Sequence, residues 1–369
     1  LFPQVYASIR VNFDGDDRRR AFGLLGMTLG LAAIAGQVLG GWMVHADLFG
    51  LGWRSIFLIN VPIGLFAMAA ARHILESRAP QRPALDWPGV ALVSAGLALL
   101  LIPLIEGPAQ HWPAWSLGSL VTAGGLLALF HRQQERRRRA GAPPLVDMQL
   151  LAQRRFALGT VLVLLVYSTS SSFFLCFALL MQTGLGLDPF VAGSLFAPCS
   201  VGFVAASLAA PRMVARWGVH AIVAGALVYA TSIGLLIAQV RLAGAELVPT
   251  QLIPVLIVVG ASQGSIMTPL LNLVLGFVDE AQAGMASGVV STVQQVGAAL
   301  GVAVVGILFG AALAEDGMAA QAGSYASAFV TGMLYNLAAA LSICVLLPML
   351  ARAQRSAGRQ GEPRVQGRP

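Results

Sequence analysis

Charge is scarce in this 369-residue chain: Asp, Glu, Lys and Arg together make up 11% of it, against about 25% in soluble domains. With 57% hydrophobic residues and a mean hydropathy of +0.77, that deficit excludes an ordinary water-soluble globule. Lysine is missing altogether, so all 23 basic residues are Arg. Cysteine is limited to Cys176, Cys199 and Cys344, each inside an apolar stretch and without metal-ligand spacing. This excludes a disulfide framework and a thiolate metal centre, and leaves the three as small hydrophobes. No short glycine period runs through the chain, and its apolar content is too high for disorder. What is abundant is glycine, 41 residues spread through apolar stretches, as in membrane helices that pack closely. The composition is that of an all-α polytopic membrane protein whose first partner is the lipid bilayer.

Ten segments carry the roughly 20 mostly apolar residues that a bilayer-crossing helix needs. They are residues 22–44, 55–75, 88–105, 113–131, 156–181, 190–211, 219–240, 249–275, 284–312 and 325–350. None alternates polar and apolar residues as a barrel strand would. The Arg distribution tests this count. With loops numbered alternately, all but Arg54 and Arg241 fall on one side, as the positive-inside rule predicts for a cell-membrane protein with both ends cytoplasmic. The formal charge of +7 therefore lies between spans rather than on one folded face, and no nucleic-acid partner is expected.

The expected organisation is a cytoplasmic segment (1–21), two spans (22–75), two more (76–131), a basic loop (132–155), six spans (156–350) and a disordered basic tail (351–369). The loop contains Arg136 to Arg139 and the Pro143-Pro144 breaker. Residues 145–156 are either a solvated stretch or a short helix lying on the surface. Shifting the first span by 261 positions places Gly23, Gly26, Gly30, Gly36 and Gly40 on Gly284, Ser287, Ser291, Gly297 and Gly301 of the ninth. This weak repeat gives the two spans equivalent roles. The chain opens on Leu1 without a leader of signal-peptide type, and the expectation is a fragment of something longer.

The first span reads GMTLGLAAIAGQVLGG, with Gly26/Gly30 and Gly36/Gly40 each four apart and so on one helix face, where a neighbouring backbone can approach. GWRSIFLINVPIG (Gly52 to Gly64) follows. In this order the two stretches resemble the major facilitator superfamily, and in particular its fourteen-span drug:proton antiporters. Gly26, Gly30, Gly36, Gly40 and Gly41 match that family's antiporter motif, within which Gln37 stands. LDWPG (Leu85 to Gly89), IEGP (Ile105 to Pro108), PLVDMQLL (Pro144 to Leu151), MQTGLGLDPFVAG (Met181 to Gly193) and STVQQVGAALGVAVVG (Ser291 to Gly306) match further pieces in register. The resemblance implies a major facilitator fold with about ten of fourteen spans present. It implies a secondary transporter that exports small amphipathic or drug-like compounds in exchange for protons, with no cofactor and no metal. Two positions depart from the pattern: Gln37 stands where the family usually has Pro, and Ala215 where PRMVARWGVH (Pro211 to His220) should carry an Asp beside Arg216 and Gly218.

By the same resemblance, the spans at 156–181 and 249–275 line a substrate cavity. The first offers Tyr167 and Ser171, which share a face. The second offers two stripes, Gln263 with Met267, and Ser265 with Thr268 and Asn272, between which the sequence does not choose. Asn60, Gln294, Gln295 and Asn336 are embedded amides suited to interhelical hydrogen bonds. No carboxylate sits at bilayer depth, Glu106 coming nearest. A proton-driven exchanger needs an embedded carboxylate or His, and the five His lie in loops or at span ends, so the alternative is a truncated or inactive fragment that lacks its coupling residues. An enzyme is not expected, because there is no HExxH, no Ser/His/Asp set and no embedded carboxylate pair.

Overall fold

The structure, a computed structural model, describes residues 2–47, 50–72, 86–107, 110, 112–279, 282–315 and 322–361. Among the described residues every regular element is helical. In chain order these are α1 (Phe2–Asn12), α2 (Gly15–His45), a 3-10 segment (Gly52–Ile59) leading into α3 (Asn60–Ala71), α4 (Trp87–Glu106), α5 (Ala114–Arg139) and α6 (Met148–Ala152). Then come α7 (Arg154–Ala178), α8 (Pro189–Trp217), α9 (Val219–Ala243), α10 (Ile253–Leu275), α11 (Ala283–Glu315) and α12 (Ala322–Gly361). Nine of the ten expected spans are, among the described residues, helices long and apolar enough to cross a membrane. The tenth is α2, 31 residues long, in which the side chains at 33, 34 and 37 lie outside the described set.

Helix α7 packs on α11 and α12, α8 on α10 and α2, and α4 on α5 and α11. Glycine sets the spacing at the tightest of these seams. A Cβ on Gly260 would land on the Cys199 carbonyl of α8, and one on Gly202 would meet the Ile257 carbonyl of α10. Gly297 approaches the Leu164 carbonyl of α7 so closely that a Cβ would sit 2.5 Å from it. Such contact between backbones is what small residues allow where lipid gives no hydrophobic drive between helices.

Three boundaries differ from the sequence reading. Residues 2–12 form a helix within the segment read ahead of the first span. Tyr6 and Ile9, three apart on one face, pack into the core, and Tyr6 is only 1% exposed. Helix α5 continues to Arg139, so the basic loop begins about two turns later than expected. Glu135 pairs with Arg138 and Arg139 at i+3 and i+4, and positive charge is favoured at a helix C-terminus. Those arginines, Arg138 first, hold the Glu135 carboxyl down to about 2 against a smaller opposing effect of burial. Finally, α12 runs on to Gly361 through Ala, Arg and Gln, all good helix formers. The tail read as disordered is therefore helical up to that point, and residues 362–369 lie outside the described set, as do Arg78 and Arg82.

Polar groups tie α4, α5 and the stretch that follows them together. Asp86, 3% exposed, caps α4 by accepting from the Gly89 N–H at 3.1 Å. It also accepts from Gln134 Nε2 at 2.7 Å and Gln133 Nε2 at 2.9 Å and lies 3.5 Å from the Arg137 guanidinium. Gln134 Oε1 in turn accepts the Leu145 and Val146 N–H groups at 2.7 and 3.2 Å. The central stretch is thus fastened to α5 just ahead of α6, a five-residue helix capped by Asp147. Of the two readings of this stretch, the short helix is the one the structure shows.

Candidate functional site

A cavity of about 390 Å³ lies between α1, α2, α7, α8, α10 and α11. Helix α7 contributes Tyr167, Ser170 and Phe174, while α8 contributes Phe196, Cys199, Ser200 and Phe203. Gln263 and Met267 come from α10, Ser291, Gln294 and Gln295 from α11, Leu29 and Gly30 from α2, and Tyr6 from α1. Every polar lining group is uncharged. One wall is aromatic: the Phe174 and Phe196 rings lie 4.4 Å apart at 34°, and Phe177 meets Phe196 edge-on at 5.5 Å. Offset and edge-to-face pairs of this kind favour a further flat ring alongside.

The amides are held in place rather than left loose. Gln263, 5% exposed, donates from Nε2 to the Tyr229 hydroxyl of α9 at 3.3 Å. Across the cavity, Tyr6 donates to Gln294 Oε1 at 3.4 Å and accepts from its Nε2 at 3.3 Å in alternative pairings. Tyr6 also bonds Tyr167. The Tyr229–Gln263 and Tyr6–Gln294 pairs therefore hold two of the cavity's amides in place.

The polar run of α7 divides three ways. Tyr167 and Ser170 face the cavity. Ser168 bonds Tyr335 and Ser172 bonds Asn336, both on α12, while Thr169 donates back to the Val166 carbonyl of its own helix at 2.9 Å. Ser170 rather than Ser171 borders the cavity. At about 100° per residue, Tyr167, Ser170 and Phe174 span one narrow arc, and Ser171 falls about 40° beyond its edge. On α10 the Gln263/Met267 stripe borders the cavity. Thr268 and Asn272 instead border a crevice of about 20 Å³ with Arg19, Phe22 and Pro211. Thr268 sits there because α2 presses on it: a Cβ on Gly26 would come 2.5 Å from its Oγ1.

The glycines of α2 separate in the same way. Gly26 abuts Thr268 and Ser207, Gly30 abuts Val204 and Phe203, and a Cβ on Gly41 would lie 2.7 Å from the Phe190 Cα. No described atom lies within 4 Å of where a Cβ on Gly36 or Gly40 would stand, and the side chain of Gln37 lies outside the described residues. Of the repeat-matched pairs, Gly30 and Ser291 border the same cavity, whereas Gly297 and Gly301 pack on α7. The matched positions thus serve different contacts. Within PRMVARWGVH, Gly218 takes φ +56° between α8 and α9, a conformation costly for any other residue. Arg216 lays its guanidinium 5.6 Å above the Trp217 ring. Asn60 and Glu106 are exposed at the ends of their helices.

Sequence reading missed Tyr6, Ser170, Ser200 and the three phenylalanines of the cavity. A signal was present for α8: Phe196, Cys199, Ser200 and Phe203 recur at i, i+3, i+4 and i+7, one face of a helix. Tyr6 had no such signal, because its helix is too short to read as a span.

Helices long and apolar enough to cross a membrane, knitted by glycine around a cavity with an uncharged lining, are the build of a multi-pass membrane protein. The description Major Facilitator Superfamily matches residues 1–302, and the chain belongs to that superfamily. It is 35% identical over 84% of its length to a probable actinorhodin transporter of Streptomyces coelicolor, covering 54% of that protein. It is 34% identical over 77% of its length to the drug efflux pump JefA of Mycobacterium tuberculosis, again covering 54%. A tetracenomycin C resistance and export protein of Streptomyces glaucescens is 29% identical over 83% of the chain, with 55% of its own length covered. The chain spans about half the length of these curated relatives.

Proposed function

We propose that the protein acts in the cell membrane, with both termini cytoplasmic, as a proton-coupled exporter of small amphipathic, drug-like compounds. We place the substrate in the cavity lined by Tyr167, Gln263, Phe174 and Phe196. The observation that carries the reading is this 390 Å³ space, within the range of a drug-sized ligand and built from rings plus a few fixed amides. Relatives named for antibiotic transport and drug efflux support it. The one-sided Arg distribution supports the orientation. Gly23, Gly26, Gly30 and Gly41 serve here as the surface on which α2 bears against α8 and α10 as the cavity changes access. The amides recognise substrate, and Arg216 with Gly218 fixes the α8–α9 turn.

Inside-out vesicles from cells expressing the protein should concentrate a fluorescent amphipathic dye when a proton gradient is imposed. Collapse of that gradient with an uncoupler should abolish the accumulation. Phe196→Ala and Gln263→Ala should each lower the initial rate by about five- to twentyfold at unchanged protein level, the cost of truncating a buried contact. Accumulation indifferent to the gradient would remove proton coupling, and accumulation indifferent to both substitutions would remove this cavity as the site.

A further inference from the structure

Among the described residues, five buried side-chain atoms lack a hydrogen-bond partner: Arg10 Nε, Arg137 Nε, Ser200 Oγ, Ser207 Oγ and Asn336 Nδ2. Only one of these residues, Ser200, borders the 390 Å³ cavity. A buried hydroxyl without a partner costs free energy, and a helical serine has a ready remedy in the carbonyl one turn back. Its neighbours use that remedy: Ser194 bonds the Phe190 carbonyl at 2.7 Å, Ser262 the Val259 carbonyl at 2.8 Å and Ser265 the Ser262 carbonyl at 2.7 Å. Ser200, 3% exposed, does not. Ser207 is equally unpartnered but lies in a helix seam, where Cβ atoms on Gly26 and on Gly264 would each stand 3.0 Å from its Oγ. Packing accounts for Ser207 and does not account for Ser200.

The surroundings of Ser200 say what would satisfy it. Phe196 lies one turn before it and Phe203 one turn after it, and both border the cavity. Phe196 is also stacked with Phe174 across from α7. A hydroxyl between aromatic rings, free to turn about one χ1 bond, suits an acceptor oxygen carried in the plane of a flat ring system.

We propose that Ser200 is a specificity-determining residue of the cavity, donating a hydrogen bond to the carbonyl oxygen of an uncharged, planar aromatic substrate held against Phe196. This rests on the reading of the cavity as the substrate site. The probes that separate the two are 9-fluorenone and fluorene, tricyclic planes of nearly the same shape of which only the first has a carbonyl. Each is used to displace a transported dye from the full chain in lipid nanodiscs. Wild type should bind fluorenone about three- to tenfold more tightly than fluorene, the worth of one hydrogen bond. Ser200→Ala should erase the preference and leave fluorene affinity unchanged, and Ser200→Thr, which keeps the hydroxyl, should retain it. Phe196→Ala should weaken both probes alike. A preference that survives Ser200→Ala, a wild type without preference, or loss of both probes together in Ser200→Ala would overturn the role of Ser200 while leaving the cavity standing. Indifference of both probes to Phe196→Ala, or displacement by neither, would overturn both.

Discussion

Gly260→Ala should be among the most damaging single-methyl additions to this protein, lowering its stability by about 3 kcal/mol. Overpacking a core ordinarily costs about 1–3 kcal/mol because side chains can rotate away. Here the new Cβ would land on the carbonyl group of Cys199, with the Cys199 Cα 3.0 Å away, and backbone has no rotamer to change. Relief requires α8 and α10 to part along a seam that Gly202 and Gly264 close in the same way, through the carbonyls of Ile257 and Phe203. Thermal unfolding in detergent should show a drop of several degrees. Dye transport should fall further than stability alone explains, since Cys199 and Gln263 on the parted helices are cavity wall. Gly124→Ala, on α5 where nothing lies within 4 Å of the added carbon, is the control and should be neutral or raise stability by up to about 1 kcal/mol. Equal unfolding temperatures for the two variants would mean that the α8–α10 separation described here is wrong.

Asp86→Ala should destabilise the protein by about 2–3 kcal/mol, because removing a carboxylate that accepts several hydrogen bonds leaves the buried Gln134 amide and Gly89 N–H without their acceptor. Gln133, Gln134 and Arg137 would lose their common acceptor, and the hold of Gln134 on Leu145 and Val146 would slacken with them. Burial works against the charged form of Asp86. The hydrogen bonds from Gln134, the Gly89 N–H and Gln133, with the nearby Arg137 charge, outweigh it and keep the carboxyl below the usual carboxylate range. A group whose folded pKa is depressed stabilises fully above its unfolded value, about 3.9, and loses that contribution as pH falls through the folded value. Wild type and Asp86→Ala should therefore differ by a constant amount from pH 5 to 8 and converge only in strong acid. Asp86→Asn keeps an acceptor oxygen and should cost less. Protease cleavage near Leu145 should rise in Asp86→Ala, and unchanged cleavage would show that the tie between α5 and the central stretch carries no load.

The fold was legible to the extent that apolar length dictates it. Every span read from the sequence has its helix, since a stretch such as 249–275 has no other way to satisfy its backbone in lipid. What failed were the ends. The apolar criterion stops at His131, at Leu350 and before Phe22, while helical hydrogen bonding continues through Arg139 and Gly361, and Tyr6 is buried by tertiary contact alone. The candidate site was half legible. Residue type marked Tyr167, Gln263 and the glycines as unusual in lipid. Which face they present depends on the rotation of each helix, set by neighbours far away in sequence: Gly26 against Thr268 turns Gln263 toward the cavity, and Tyr335 with Asn336 draws Ser168 and Ser172 away from it. Ser200 stood out only once its missing partner could be seen.

On the proposed function, the Gln263/Met267 face of α10, not the Thr268/Asn272 face, meets the substrate. Cysteines placed singly at Met267 and at Thr268, in a transport-competent variant with Cys176, Cys199 and Cys344 replaced by Ala, would be labelled with a membrane-permeant maleimide in the presence and absence of a transported compound. The account predicts that the compound slows labelling at 267 and leaves 268 unaffected. Protection at 268 with none at 267 would contradict it.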